Sequence, residues 1–122
     1  MTSFALIEAA TSETIALWCS THHRILRLSP PAYRLDFLEL APKYRGGADE
    51  LRVFLMGAIA ARALECGAKR IVLFSTDKPQ LVAFYRSLGG EPRLAKGCTA
   101  VRDLVPFEFV ENAVQTLAKV VE

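Results

Sequence analysis

The hydrophobic pattern divides the chain into short apolar runs near the start and longer helical stretches afterwards. Residues 3–10 (SFALIEAA) and 14–20 (TIALWCS) are apolar and rich in β-branched side chains, and TSE at 11–13 separates them, so they predict two strands joined by a tight turn. Residues 33–41 (YRLDFLELA) alternate in part, with Leu35 and Phe37 expected on the side opposite Asp36 and Leu38. This run predicts a central strand buried on both faces. Between the second and third runs, THHRILRLSPPA (21–32) ends in Pro30-Pro31 and predicts a loop.

The clearest helix covers 49–67 (DELRVFLMGAIAARALECG), with Asp49 at its N-cap and Gly67 at a left-handed C-terminal position. Leu51, Leu55, Ala58 and Ile59 form one stripe, and Val53, Met56 and Ala60 make much of the other side apolar, which predicts burial over most of the circumference. KRIVLFST (69–76) predicts a strand. DKPQLVAFYRSLGG (77–90) predicts a helix capped by Asp77, with Gln80 at capping-box spacing and Gly89 as the stop. Residues around PRLAKG and AVRDLVPFEF predict two late strands joined at Gly97, and 110–122 (VENAVQTLAKVVE) an amphipathic closing helix. The order predicts an α/β (α+β) domain over 1–122, with a mixed, mostly antiparallel twisted sheet, flanking helices and one central β-α-β unit whose crossover is right-handed and whose strands are parallel.

Composition narrows the class. With 122 residues, 52% hydrophobic and a net charge of +2, the chain has material for a core and lacks the basic bias of a nucleic-acid binder. The three cysteines, Cys19, Cys66 and Cys98, form no C-x-x-C pair and are expected as reduced apolar fillers. The start MTSFALIEAA carries no basic segment typical of a leader, and the apolar run 53–61 is too short to span a bilayer, so a cytoplasmic protein without membrane contact is expected. His22-His23 has no third ligand near it in sequence, and no metal is expected.

The candidate chemistry lies in LELAPKYRGGADEL (38–51), where a strand runs into a basic, glycine-bearing turn and then a helix. A helix N-terminus leaves backbone N–H groups unpaired and carries about half a positive charge. Gly46 and Gly47 would let an anion approach that end, and Lys43 and Arg45 would add charge, so the turn has the parts of a phosphate cradle. Neither the Walker pattern nor G-x-G-x-x-G is present.

The segment Lys43-Tyr44-Arg45-Gly46-Gly47-Ala48, after LELAP, resembles the [Q/R]-x-x-G-x-[G/A] signature of the GNAT superfamily of N-acetyltransferases, with Lys in the first position. ECGAKRIVLFST resembles the family's following helix end and strand, and LVAFYRSLGG its next helix, so the likeness covers residues 33 to 90. It implies acetyl-CoA as co-substrate, backbone amides of Arg45 to Ala48 on the pyrophosphate, Leu40 offering main-chain groups to the pantetheine arm, and Tyr85 protonating the departing thiolate. A base would be Glu39 or Asp36 on the same strand, or a water. Asp49 and Glu50 directly follow the cradle, where the family usually has small or apolar residues; Lys78 stands where many members have Asn; and fewer residues precede Lys43 than in most members.

The leading expectation is an N-acetyltransferase acting by direct transfer on the amine of an unidentified acceptor. A non-catalytic acyl-CoA-binding relative is the second reading. A dimeric interaction protein is the third, since apolar surface left bare by missing helices would find a partner.

Overall fold

The computed structural model describes residues 2–7, 14–21, 31–41 and 49–122. Among them, five strands form one sheet in sequential order: β1 (Thr2–Ile7), β2 (Thr14–Thr21), β3 (Ala32–Leu40), β4 (Arg70–Ser75) and β5 (Val105–Phe109). All neighbours are antiparallel except β3 and β4, which are parallel. The helix α1 (Asp49–Glu65) connects that parallel pair, α2 (Pro79–Ser87) follows β4, and α3 (Glu111–Ala118) closes the chain with a short 3₁₀ turn, Lys119–Val121. The expected mixed sheet with its central β-α-β unit is therefore present, with β3 in the middle.

One face of the sheet carries the main core. Leu55, Met56 and Ile59 of α1 pack with Ile71 and Leu73 of β4, Phe107 and Phe109 of β5, and Val114 and Leu117 of α3. Each such fully buried side chain stabilises the fold by about 2 kcal/mol. Leu55, Met56, Ile59, Ala60 and Ala63 are all buried, as the nearly all-round apolar pattern of α1 predicts, because the helix is covered by the sheet on one side and by α3 on another. Gly57 makes the second contact close: a Cβ there would lie 2.9 Å from the Leu117 carbonyl oxygen. The same core holds a polar cluster, in which the Trp18 indole N–H and the Ser20 hydroxyl both reach the Tyr33 hydroxyl. Satisfied in this way, the three polar groups are buried without an open desolvation penalty.

Glycines stop both long helices by the same device. Gly67 has φ 83°, and its N–H bonds the Leu64 carbonyl while Ala68 N–H bonds that of Ala63. Gly89 has φ 95°, with its N–H on Arg86 and that of Gly90 on Tyr85. These paired bonds satisfy the last helical carbonyls, and the left-handed residue is the one that favours glycine.

The structure corrects the sequence reading in three places. Asp77 does not cap α2: the N-cap is Lys78, without a side-chain cap bond, and Pro79 begins the helix, so the capping-box role of Gln80 falls too. Proline suits that first position because its missing N–H has no helical partner anyway. The two late strands reduce to one. Glu91 makes a single antiparallel bridge to Glu108, and the chain then leaves the sheet to lay Ala95 over Ala32 and Val72 on the second face. Finally, β3 does not alternate. Cys19 pairs with Phe37 and Ser20 with Leu35, leaving Asp36 as an extra residue. This bulge shifts the period by one, so Leu35 and Leu38 both meet the main core.

Candidate active site

The bulge sits where the sheet divides. The parallel ladder between β3 and β4 runs from Ala32↔Arg70 to Leu35↔Leu73 and ends there. Strand β4 stays paired with β5 through Phe74↔Pro106 and Ser75↔Val105, while β3 stays paired with β2 through Leu40↔Ala16. The two central strands thus separate beyond Leu35, at the carboxyl ends of both. Ligands of sheets with parallel strands bind at such ends.

The fork opens into a cavity of about 180 Å³. Leu38 lines it from β3, Leu73 and Ser75 from β4, and Leu81 and Tyr85 from α2. Tyr85 is placed there by three constraints. It lies on the inward face of α2 with Val82, Phe84 and Leu88, its ring leans on Phe107 with centroids 5.4 Å apart, and its own carbonyl accepts the Gly90 N–H that closes the helix. Burial pushes the Tyr85 phenol above its ordinary value of 10.0, against a smaller opposing pull from the Arg52 charge. The side chain is therefore a protonated donor at neutral pH.

A second cavity, about 470 Å³, lies toward the other face. Arg34 and Asp36 line it from β3, Phe74 from β4, and Cys98, Val101 and Leu104 from the segment that crosses that face. Leu35, Asp36 and Phe74 border both cavities, so the two meet at the fork. The Arg34 Nε donates to Asp36 Oδ1, forming an ion pair at the edge of the larger space.

Of the residues singled out from the sequence, Tyr85 is at the fork. The backbones of Glu39 and Leu40 lie on the freed part of β3, paired with Leu17 and Ala16 of β2, and their side chains lie outside the described residues. Lys43, Arg45, Gly46, Gly47 and Ala48 also lie outside the described residues, as does His22-His23. Their position in the chain links the end of β3 to Asp49, the first residue of α1. Among the described residues no group of three or more metal-binding side chains occurs. Cys98 is a free thiol. No helix among the described residues is long and apolar enough to cross a membrane.

Sequence reasoning missed the second cavity because it read residues 92–97 and 100–109 as two strands joined at Gly97. No local signal marks Cys98, Val101 or Leu104 as lining; they reach the cavity only because the chain turns back across the sheet.

A mixed sheet that forks at a bulged central strand, with a tyrosine helix against the opening, has the fold of the GNAT N-acetyltransferases. Mutant forms of the spermidine/spermine N-acetyltransferase SpeG from Vibrio cholerae align with a TM-score of 0.70 at 14% identity, over 93% of this chain and 69% of that one. A structure described as a bacterial toxin aligns with a TM-score of 0.61 at 19% identity, over 94% and 70%. A mutant of the toxin AtaT, bound to the C-terminus of the antitoxin AtaR and to acetyl-CoA, aligns with a TM-score of 0.57 at 14% identity, over 94% and 71%. No family model and no curated protein matches the sequence.

Proposed function

We propose that this protein is an acetyl-CoA-dependent N-acetyltransferase that passes the acetyl group directly to an amine. The observation that carries this reading is the parting of β3 from β4 after Leu35↔Leu73, with Tyr85 on the wall of the opening. Backbone groups of β3 beyond Leu35 have no ladder to β4, and an amide-bearing arm can supply the missing partner in the manner of an added strand. The apolar lining by Leu38, Leu73 and Leu81 suits the methylene parts of such an arm. The complex of the AtaT mutant with acetyl-CoA supports the choice of thioester.

In this reading acetyl-CoA supplies the activated acyl group, and the chain supplies position and protons. Leu40 would offer main-chain groups to the arm. The amides of Arg45, Gly46, Gly47 and Ala48, with Lys43 nearby, would hold the pyrophosphate at the start of α1. Tyr85 would give its proton to the sulfur as the C–S bond breaks, a role that its raised pKa suits because the donor stays protonated. Asp36, which borders both cavities, or Glu39 further along β3 would be the carboxylate that receives the amine's proton. The rest of the rate enhancement comes from holding amine and thioester together.

The test is thermal unfolding with and without acetyl-CoA, followed by assay of acetyl-CoA-dependent thiol release. A ligand at a hundred times its Kd stabilises the native state by about 2.7 kcal/mol, enough to raise the melting temperature measurably. An unchanged melting temperature at millimolar acetyl-CoA would reject both the transferase and any other acetyl-CoA-binding role.

A further inference from the structure

Proton donation by Tyr85 leaves a phenolate behind. The transferase reading above, on which this step rests, requires that anion to form inside the smaller cavity. Burial has already pushed the phenol's pKa up, so the anion is poorly solvated there. An ion taken out of water and left without a hydrogen-bond donor is costly. Leu35, Leu38, Leu73 and Leu81 line the cavity with apolar residues. Asp36 borders it with a like charge, and among the described residues Arg52 of α1 brings a favourable one. Two hydroxyls remain in the lining, those of Ser75 and Thr76. Thr76 is exposed, whereas Ser75 is 5% exposed.

Strand register places Ser75 on the tyrosine's side of the sheet. Side chains alternate along a strand. Leu73, two residues before Ser75, packs into the main core, and Ser75 pairs with Val105 as Leu73 pairs with Phe107. The Tyr85 ring leans on that same Phe107. Ser75 therefore continues the row of Leu73, at the end of β4 where the fork opens. Its Oγ donates to the Thr76 carbonyl at 2.9 Å, a bond to the next residue in the chain. A hydroxyl hydrogen rotates to suit its surroundings, so it can turn to a stronger acceptor. A phenolate is one, because hydrogen bonds to ionised groups are roughly twice as strong as neutral ones.

We propose that Ser75 is a positioning residue for the transfer, turning its O–H from the Thr76 carbonyl to the Tyr85 oxygen as the phenol gives up its proton. The amine nitrogen forms a bond to the acetyl carbon while the carbon–sulfur bond breaks. The electron pair of that bond leaves with sulfur, which takes the Tyr85 proton. Ser75 keeps its own proton and supplies only a hydrogen bond. The proton released by the amine passes to solvent, solvent restores the phenol, and Ser75 returns to the Thr76 carbonyl. No further reactant is needed.

Two experiments test this. In the first, thiol release from acetyl-CoA is followed with hydroxylamine as acceptor, an amine already neutral at pH 7. The proteins compared are wild type, Ser75→Ala, Ser75→Cys, Tyr85→Phe and the double variant Ser75→Ala with Tyr85→Phe. Ser75→Ala should lower kcat about tenfold, as the loss of a hydrogen bond to a charged group does, and leave acetyl-CoA affinity unchanged. Ser75→Cys, similar in size but a weak donor, should fall nearly as far, which separates the bond from the packing. In the Tyr85→Phe background Ser75→Ala should bring no further loss, because no phenolate forms there. An equal loss in both backgrounds would overturn the assignment. In the second, the same proteins carry fluorotyrosine, whose phenol titrates at lower pH, and each tyrosine is followed by fluorine NMR. The Tyr85 signal is the one that Tyr85→Phe removes. Ser75→Ala should raise the Tyr85 pKa by about one pH unit, since only the phenolate loses a donor. An unchanged titration in the folded variant is the contrary result. Absence of acetyl-CoA binding and of transfer sinks the transferase reading, while the titration still decides whether Ser75 serves the phenolate.

Discussion

The Gly90 N–H donates to the Tyr85 carbonyl over 3.0 Å, so the stop of the tyrosine helix also fixes the tyrosine. Gly89 is needed for its backbone angle, and Gly90 for its lack of a side chain. A Cβ at Gly90 would lie 2.7 Å from Phe109 Cζ and 2.9 Å from the Tyr85 oxygen. Phe109 is wholly buried and cannot swing away. Gly90→Ala should therefore destabilise the fold by about 1–3 kcal/mol, as overpacking does. It should also lower the transfer rate more than acetyl-CoA affinity, since the α2 end must shift. Thermal unfolding and steady-state kinetics of the variant check both parts.

Tyr85→Phe keeps the ring contact with Phe107 and removes only the proton donor. Under the proposed mechanism kcat falls by about a hundredfold, within the range for a lost general acid, and acetyl-CoA affinity is unchanged. Because burial raises the phenol's pKa, the loss of wild-type activity at alkaline pH should come at a higher pH than an ordinary phenol would give. A pH–rate profile of both proteins, with a Tyr85→Phe rate equal to wild type as the contrary result, decides the role.

Arg70, Glu108 and Arg93 tie β4, β5 and the crossing segment together. Arg70 is 5% exposed and Glu108 7%; Arg93 Nε reaches Glu108 Oε1 at 2.8 Å from a half-exposed position. Burial alone would push the Glu108 carboxyl up, but the hydrogen bonds and charges of Arg70 and Arg93 outweigh it and hold the pKa below its ordinary 4.5. A carboxyl depressed in the folded state binds protons more weakly there than in the unfolded chain. Its contribution is complete well above pH 4.5 and is lost as pH falls through 4.5 toward the depressed folded value. Glu108→Gln should cost about 3 kcal/mol at pH 7, because Arg70 stays buried without its carboxylate. The variant should also lose less stability than wild type on acidification below pH 4.5. Urea unfolding of both proteins at pH 7 and at pH 4 measures the difference.

Gly57→Ala tests the packing of α1 on α3. The added methyl would meet the Leu117 carbonyl oxygen at 2.9 Å and Val120 Cβ at 3.2 Å. Alanine gains about 1 kcal/mol of helix propensity over glycine, and overpacking against backbone costs about 1–3 kcal/mol. The net outcome should be a lower melting temperature. A rise would mean that α3 moves away without cost.

Much of this architecture was legible from local pattern. The run of apolar residues in α1, the β-branched strand around Ile71 and Val72, the glycines at 67 and 89, and the placement of Tyr85 among Phe84 and Leu88 all express backbone preference and amphipathic period. Those preferences act over a few residues, so a reading along the chain finds them. The expected phosphate cradle rests on a short run of residue types between a strand and a helix, and that run lies outside the described residues.

The fork was not legible, because it depends on pairings between segments far apart in the chain. Asp36 is an extra residue only relative to β2, and the β3–β4 ladder ends only because β4 remains with β5 while β3 remains with β2. Likewise residues 92–97 and 100–109 read as strands, yet Ala95 is buried against Ala32 and Val72 instead of extending the sheet. The chain alone determined which elements form and which residue types flank the β3–α1 turn. Tertiary structure decided where the sheet opens, which carboxylate faces the opening and what lines the space behind it, since register and burial are properties of contacts between elements rather than of any one of them.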